Sequence, residues 1–161
     1  MSEPELVAIK VSSILTCLLW TKVFATNIGL GGAKKNAGQR APEDKYQTNE
    51  AEASEAAKDS AKRAQRIVNN DLENIPYTMV LAWVSVFCIF SVEDFDIRKR
   101  LSTLHIVFFS LFVLCRVCHS VVYSLGYTLP RSLFYLIGVV SSFALAIIGA
   151  IAAFNITSYQ Y

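Results

Sequence analysis

The C-terminal part of the sequence, residues 132–161, contains no Asp, Glu, Lys or Arg. A helix needs about 20 mostly apolar residues to cross the hydrocarbon core of a bilayer. At 1.5 Å per residue, residues 132–154 alone would span roughly 35 Å. Residues 75–92 and 101–115 also lack these four charged residue types, and Lys22 is the one charge within residues 11–30. This pattern predicts an integral membrane protein rather than a soluble domain.

Four apolar segments predict an all-α membrane protein in which a single domain, residues 1–161, forms a four-transmembrane-helix bundle. The spans are expected at about 6–29, 64–92, 101–126 and 130–155. The one long polar segment, about residues 31–62, separates the first two spans. Its Ala/Glu/Lys-rich end favours a helix that continues into the second span, and the part before Ala51 is left open between helix and solvated loop.

The distribution of Lys and Arg predicts the orientation in the membrane. Eight of these residues lie within 31–66, three lie within 93–100, and the tail before the first span has Glu3 and Glu5 but no base before Lys10. By the positive-inside rule, the first loop is expected in the cytosol, and both termini are expected on the other side. The acidic start also favours a permanent span over a cleaved signal peptide. A net charge of only +2 predicts no nucleic-acid partner.

Polar residues inside the spans predict where the function lies, because ionisable groups in a membrane are costly and usually functional. Three sets have helical spacing, so each is expected on one helix face. They are Arg63, Arg66, Asn70, Glu73 and Tyr77; Arg116, His119, Tyr123 and Tyr127; and Arg131, Ser132 and Tyr135. The predicted topology brings the three sets to one depth near the cytosol. Arginines pair with carboxylates, so we expect a site for an anionic, peptide-like ligand.

The alternative interpretation of these sets is structural: Glu73 would hold the helices together by pairing with Arg116 or Arg66. Pro130 favours the first turn of the fourth helix, which would place Arg131 where the helix dipole is positive. The four cysteines lie in apolar stretches, and the Cys115–Cys118 pair is placed within a helix with no second pair. No metal site and no disulfide framework are predicted from them.

Three motifs carry a resemblance to a known family. The second span contains NDLENI at 70–75, preceded by Arg63 and Arg66; the third contains R-x-x-H-S-x-x-Y at 116–123; the first loop contains PED at 42–44. Together they resemble the membrane-associated proteins in eicosanoid and glutathione metabolism (MAPEG), over about residues 5–155. The chain departs from the family pattern at Lys62, Val68 and Asn69, which bears on the affinity for glutathione.

The resemblance implies a homotrimer with glutathione sites between adjacent subunits. It implies glutathione contacts at Arg63, Arg66, Asn70, Glu73, Arg116, His119, Tyr123 and Tyr135. Within that set, Arg116 would form an internal ion pair near Glu73. Arg131 and Ser132 correspond to residues beside the glutathione sulfur, and Asp44 corresponds to an acid that assists the arginine. These three are the candidate catalytic residues.

The activity implied by the resemblance is that of a microsomal glutathione transferase, which conjugates glutathione to lipophilic electrophiles and also reduces lipid hydroperoxides. Glutathione would be the substrate or cofactor, without a metal, and the partners would be a lipophilic small molecule or lipid and the membrane itself. Two alternatives stay open: a glutathione-dependent prostaglandin E synthase and a non-catalytic lipid-binding scaffold. The implied location is the endoplasmic reticulum membrane, or alternatively the outer mitochondrial membrane.

Overall fold

The computed structural model describes residues 4–44, 46 and 48–156, which form four helices and no strand. Helix α1 runs Pro4–Asn36, α2 runs Glu55–Phe90, α3 runs Phe95–Ser124 and α4 runs Thr128–Phe154. All four are long and apolar enough to cross a membrane. The predicted all-α four-helix architecture is confirmed. Glu3 and Lys45, which enter the charge count behind the predicted orientation, lie outside the described residues.

The polar segment between the first two spans is more helical than its composition suggested. Helix α1 continues to Asn36, and α2 already begins at Glu55. Ser54 caps α2 by accepting a hydrogen bond from the Ala57 N–H at 3.2 Å, so the helix begins well before the apolar part of the span. With 36 residues, α2 is about 54 Å long. It therefore exceeds a hydrocarbon core of about 30 Å and extends beyond it.

Helices α2 and α3 form the centre of the bundle. Helix α1 packs against one side of this pair and α4 against the other, and within the described chain α1 and α4 do not touch. The buried core draws on all four helices through Leu19, Ile75, Ala82, Phe109, Phe112, Val113 and Leu145. Gly149 lets α4 approach α2 closely, because a Cβ there would lie 3.3 Å from the Cα of Ser85.

A buried histidine joins three helices deep in the bundle. The His105 ring on α3 is within 2.8 Å of the Ser12 hydroxyl on α1 and 3.1 Å of the Ser85 hydroxyl on α2. All three side chains are buried. In a membrane, hydrogen bonds between helices replace partners that water would otherwise supply. This trio therefore holds α1, α2 and α3 in register.

A tight turn between α3 and α4 sets the position of the fourth helix. Gly126 has φ of +84°, a left-handed conformation that glycine adopts readily at a helix C-terminus. The Tyr127 N–H donates to the Val122 carbonyl at 3.1 Å, which closes the end of α3. Tyr127 consequently lies beyond α3, and the prediction that it continues the stripe of Arg116 is wrong because the helix ends at Ser124.

Candidate functional site

A cavity of about 240 Å³ opens where the N-terminal part of α2, the end of α3 and the start of α4 meet. It is lined by Asp59, Lys62, Arg63, Arg66, Tyr123, Gly126 and Arg131. Four of these side chains are basic and one is acidic, which leaves a formal excess of three positive charges. We call it the cationic cavity. A concave surface of one charge sign concentrates ligands of the opposite sign, so its ligand is expected to be anionic.

Arg131 lies at the N-terminal end of α4. Pro130 occupies the first turn of α4, as predicted, and Arg131 follows it directly. The Arg131 guanidinium carbon lies 4.7 Å from the centroid of the Tyr123 ring, within range of a cation–π interaction. The first turn of a helix also carries positive potential. A bound anion would meet both the guanidinium and the helix N-terminus.

Arg63 ties the cavity wall to the turn that follows α3. Its Nη1 donates to the Ser124 carbonyl at 3.1 Å. A Cβ at Gly126 would come within 3.0 Å of the same nitrogen. The positive φ favours glycine at this position, and a larger residue would also have to displace the end of the Arg63 side chain.

His119 lies next to Tyr123 in the wall of the cationic cavity, and Tyr135 lies next to His119; neither of the two lines the cavity itself. The His119 ring centroid is 5.7 Å from that of Tyr123 and 6.4 Å from that of Tyr135. His119 is only 3% exposed, and its Nδ1 has no hydrogen-bond partner among the described residues. A buried polar atom without a partner is costly. A polar ligand such as glutathione could supply that partner, which makes the residues present compatible with it.

Arg116 is wholly buried, and its partners differ from the expected one. It donates to Oδ1 of Asn70 and lies 3.7 Å from Oδ1 of Asp71. The expected partner, Glu73, is exposed on another face of α2. Two residues along a helix turn the side chain by about 200°. Asp71 therefore faces the bundle interior and Glu73 faces away from it, so the predicted pairing of Arg116 with Glu73 is wrong.

Glu73 instead lines a second cavity deeper along the same helices. This cavity of about 300 Å³ lies between α2 and α4 beside α3, and the surface that it exposes is mostly apolar. Its other lining residues are Asn74, Tyr77, Thr78, Leu81, Phe112, Val139, Ser142, Phe143 and Ala146. We call it the apolar groove. Glu73 lies about 10 Å along α2 from Arg66. The cationic cavity and the apolar groove thus follow one another along a single α2–α4 face.

Two candidate catalytic residues lie outside the cationic cavity. Asp44 pairs with Arg40 at 2.8 Å and accepts a hydrogen bond from the Tyr46 N–H at 3.2 Å. Ser132 is exposed and donates to the Thr128 carbonyl at 3.2 Å. Neither residue lines the cavity that contains Arg131. Within the described part of one chain, Asp44 is therefore not brought to Arg131.

The structure brings Arg63, Arg66, Tyr123 and Arg131, from all three predicted sets, together in the cationic cavity. Other residues predicted for the same site do not line it: Asn70, Glu73, Arg116, His119 and Tyr135. The structure adds Asp59 and Lys62, whose spacing continues the α2 stripe toward the helix start and would have revealed them. Outside the cavity, the structure shows a further buried charge, Lys22, which binds Asp71. Lys22 could have been singled out from the sequence because it is the one charged residue within residues 11–30. The sequence does not indicate that Asp71 is its partner.

Comparisons with known proteins identify the family. Among curated proteins and among solved structures, no match is found. Comparison with protein families matches residues 12–151 to the MAPEG family. The match covers most of the four-helix bundle and includes the α2, α3 and α4 residues of the cationic cavity. Proteins of this family generally use glutathione, and their functions concern glutathione or eicosanoids. The chain is an integral membrane protein that belongs to the MAPEG family.

Proposed function

We propose that the protein is a glutathione transferase that joins glutathione to lipophilic electrophiles. One observation supports this proposal above the others: the cationic cavity and the apolar groove lie along the same α2–α4 face. The first suits an anionic, water-soluble ligand, and the second suits an apolar molecule that enters from the bilayer. Holding both reactants in one place favours a reaction between them.

The residues of the cationic cavity fit the chemistry of glutathione. The tripeptide carries two carboxylates and one ammonium group. Arg66 and Lys62 would receive the two carboxylates, since guanidinium and ammonium groups form charge-assisted hydrogen bonds with them. Asp59 is the acidic residue that lines the cavity and would receive the ammonium. In this proposal Arg63, Tyr123, His119 and Tyr135 form the wall around the bound ligand.

The proposed chemistry depends on a thiolate, because the thiolate and not the thiol is the nucleophile. A free thiol has a pKa of about 8.5. The Arg131 guanidinium and the N-terminus of α4 would lower that value for a bound thiol by stabilising its anion. The sulfur then forms a bond with an electrophilic carbon. The leaving group departs with the electron pair of the bond that breaks, and the thiol proton passes to water.

The exposed carboxylate of Glu73 supports an oligomer. Glu73 and Tyr77 are exposed in the lone chain at a depth where apolar side chains surround them. A charged group that faced lipid would be costly, whereas a neighbouring subunit would cover it. We propose a homotrimer in which the apolar groove is closed by the next protomer. We place this trimer in the endoplasmic reticulum membrane, with the outer mitochondrial membrane as the alternative.

A second candidate function is the glutathione-dependent isomerisation of a prostaglandin endoperoxide. The observation that favours it is the sequence Arg131-Ser132-x-x-Tyr135, in which Arg131 and Tyr135 lie one turn apart on α4. In that reaction glutathione would be regenerated rather than consumed. The distinction is therefore whether glutathione is lost as product forms.

A substrate panel tests the proposal directly. The detergent-purified protein would be incubated with an aryl halide, a lipid hydroperoxide or a prostaglandin endoperoxide, each with and without glutathione. We expect glutathione-dependent conjugation of the aryl halide. Turnover of the endoperoxide alone would support the isomerase instead. Absence of glutathione-dependent turnover across the panel would contradict both enzymes and leave the lipid-binding scaffold.

A further inference from the structure

A group of buried charges lies behind the cationic cavity, between α1, α2 and α3. Lys22 binds Oδ2 of Asp71, and Arg116 approaches Oδ1 of the same carboxylate at 3.7 Å. Thr26 donates to Oδ2 at 3.3 Å. We call Lys22, Asp71 and Arg116 the buried ionic cluster. Lys22 comes from α1, a helix that contributes no residue to the cavity lining.

Arg116 links this cluster to the ligand-facing stripe of α2 through Asn70. Its Nη2 contacts Oδ1 of Asn70. A guanidinium has donors and no acceptor, so the amide of Asn70 must turn its oxygen toward Arg116. The NH₂ end of the amide is then directed away from Arg116. Asn70 lies on the stripe between Arg66 and Glu73, and this orientation suits it to donate to a ligand carboxylate or carbonyl.

Two acceptors compete for Arg116. A carboxylate is ordinarily a stronger partner for a guanidinium than a neutral amide, yet Arg116 contacts Asn70 and remains 3.7 Å from Asp71. We attribute this choice of partner to Lys22 and Thr26, which both donate hydrogen bonds to the other carboxylate oxygen of Asp71, Oδ2. If Lys22 lost its ammonium group, Arg116 would be the cation nearest to Asp71. Arg116 would then turn from Asn70 toward the carboxylate.

We propose that Lys22 is a positioning residue for the glutathione site. By neutralising Asp71, it keeps Arg116 on Asn70, and Arg116 in turn holds the Asn70 amide with its NH₂ group available to a carboxylate or carbonyl oxygen of glutathione. The inference rests on the proposed function, because it takes glutathione as the ligand. It assigns a role in binding to a buried residue of α1, a helix that contributes no residue to the lining of the cationic cavity.

The variant Lys22→Met tests this role. It keeps most of the side-chain volume and removes the charge. We expect the KM and the Kd for glutathione to rise roughly tenfold, as for the loss of one hydrogen bond to a bound ligand, with kcat nearly unchanged because the reacting atoms are untouched. Lys35→Met, an exposed lysine on the same helix, is the matched control and should bind glutathione as the wild type does.

A double variant separates positioning from simple structural damage. In Lys22→Met with Asp71→Asn, residue 71 no longer carries the negative charge that would draw Arg116 away from Asn70, so glutathione affinity should recover toward that of the wild type. If Lys22 only stabilised the fold, the second substitution would leave affinity unchanged or lower it further. Thermal melting of each purified protein checks folding. If Lys22→Met does not fold, Lys22→Arg serves instead, and its retained charge should keep glutathione affinity within about twofold of wild type.

The outcomes distinguish this inference from the function on which it rests. Failure of the wild type to bind glutathione in calorimetry would overturn both. Binding by the wild type with equal affinity in Lys22→Met would overturn the role of Lys22 alone. Weakened binding that the double variant does not restore, or a tenfold loss in Lys22→Arg, would likewise overturn it.

Discussion

Replacing Arg131 by Leu removes the cation that the proposed chemistry uses most directly. In the structure the guanidinium stacks 4.7 Å from the Tyr123 ring centroid in a cavity with three other basic side chains. Hydrogen bonds to charged groups contribute about 1.5–3 kcal/mol, and about 1.4 kcal/mol corresponds to a factor of ten. We therefore expect kcat/KM for glutathione conjugation to fall by roughly 10- to 150-fold. Because the group stabilises charged sulfur, most of that loss should appear in kcat.

The assay is steady-state conjugation of an aryl halide by the purified protein, with glutathione and the halide varied separately. Arg100→Leu is the matched control, since Arg100 lies on α3 beside a different cavity and its loss should leave both kinetic constants unchanged. The reasoning would be refuted if Arg131→Leu retained the wild-type kcat and changed only the KM for glutathione. That result would mean that Arg131 binds the ligand but does not activate its thiol.

Three further predictions concern topology and stability. In sealed microsomes, external protease should cut within residues 45–58, because the basic segment around them predicts a cytosolic loop; protection until detergent is added would reverse the orientation. His105→Leu should lower the free energy of unfolding in detergent by about 1–2 kcal/mol, because two interhelical hydrogen bonds are lost. Thr103→Val is the control and should change this free energy little, because the Thr103 hydroxyl donates to a carbonyl of its own helix. Equal effects of the two substitutions would contradict the bridging role of His105. Gly126→Ala should lower the free energy of unfolding by about 1 kcal/mol or more, because φ is positive at this position. Gly31→Ala, where a Cβ would meet open space on α1, is the control and should leave the stability unchanged or raise it. Equal melting temperatures for the two variants would contradict this account of the turn.

Regular spacing allowed much of the cationic cavity to be predicted from sequence. Residues three and four apart share a helix face whatever the tertiary structure, so Arg63 and Arg66 were expected together. The Pro130 signal placed Arg131 in the first turn of its helix. Long apolar runs with one charge or none likewise identified all four helices, because a spanning segment must be mostly apolar.

The partners of buried charges could not be predicted in the same way. Spacing shows which residues share a face of α2 but not which face turns toward the bundle interior. Asp71 lies between Asn70 and Glu73 in the sequence but not on their stripe, and it is the residue that faces Lys22 and Arg116. The pairing of His105 with Ser12 joins residues 93 positions apart. Such contacts depend on how the helices pack against one another, and a local sequence pattern does not predict that packing.

The ultraviolet absorbance of glutathione thiolate bound to the purified protein tests the central claim most directly. That claim is that the cationic cavity holds glutathione and stabilises its ionised sulfur. At neutral pH, titration of the wild type with glutathione should give a saturable thiolate signal that is absent with S-methylglutathione and reduced in Arg131→Leu. A wild type that binds no glutathione, or binds it without any thiolate signal, would contradict the account.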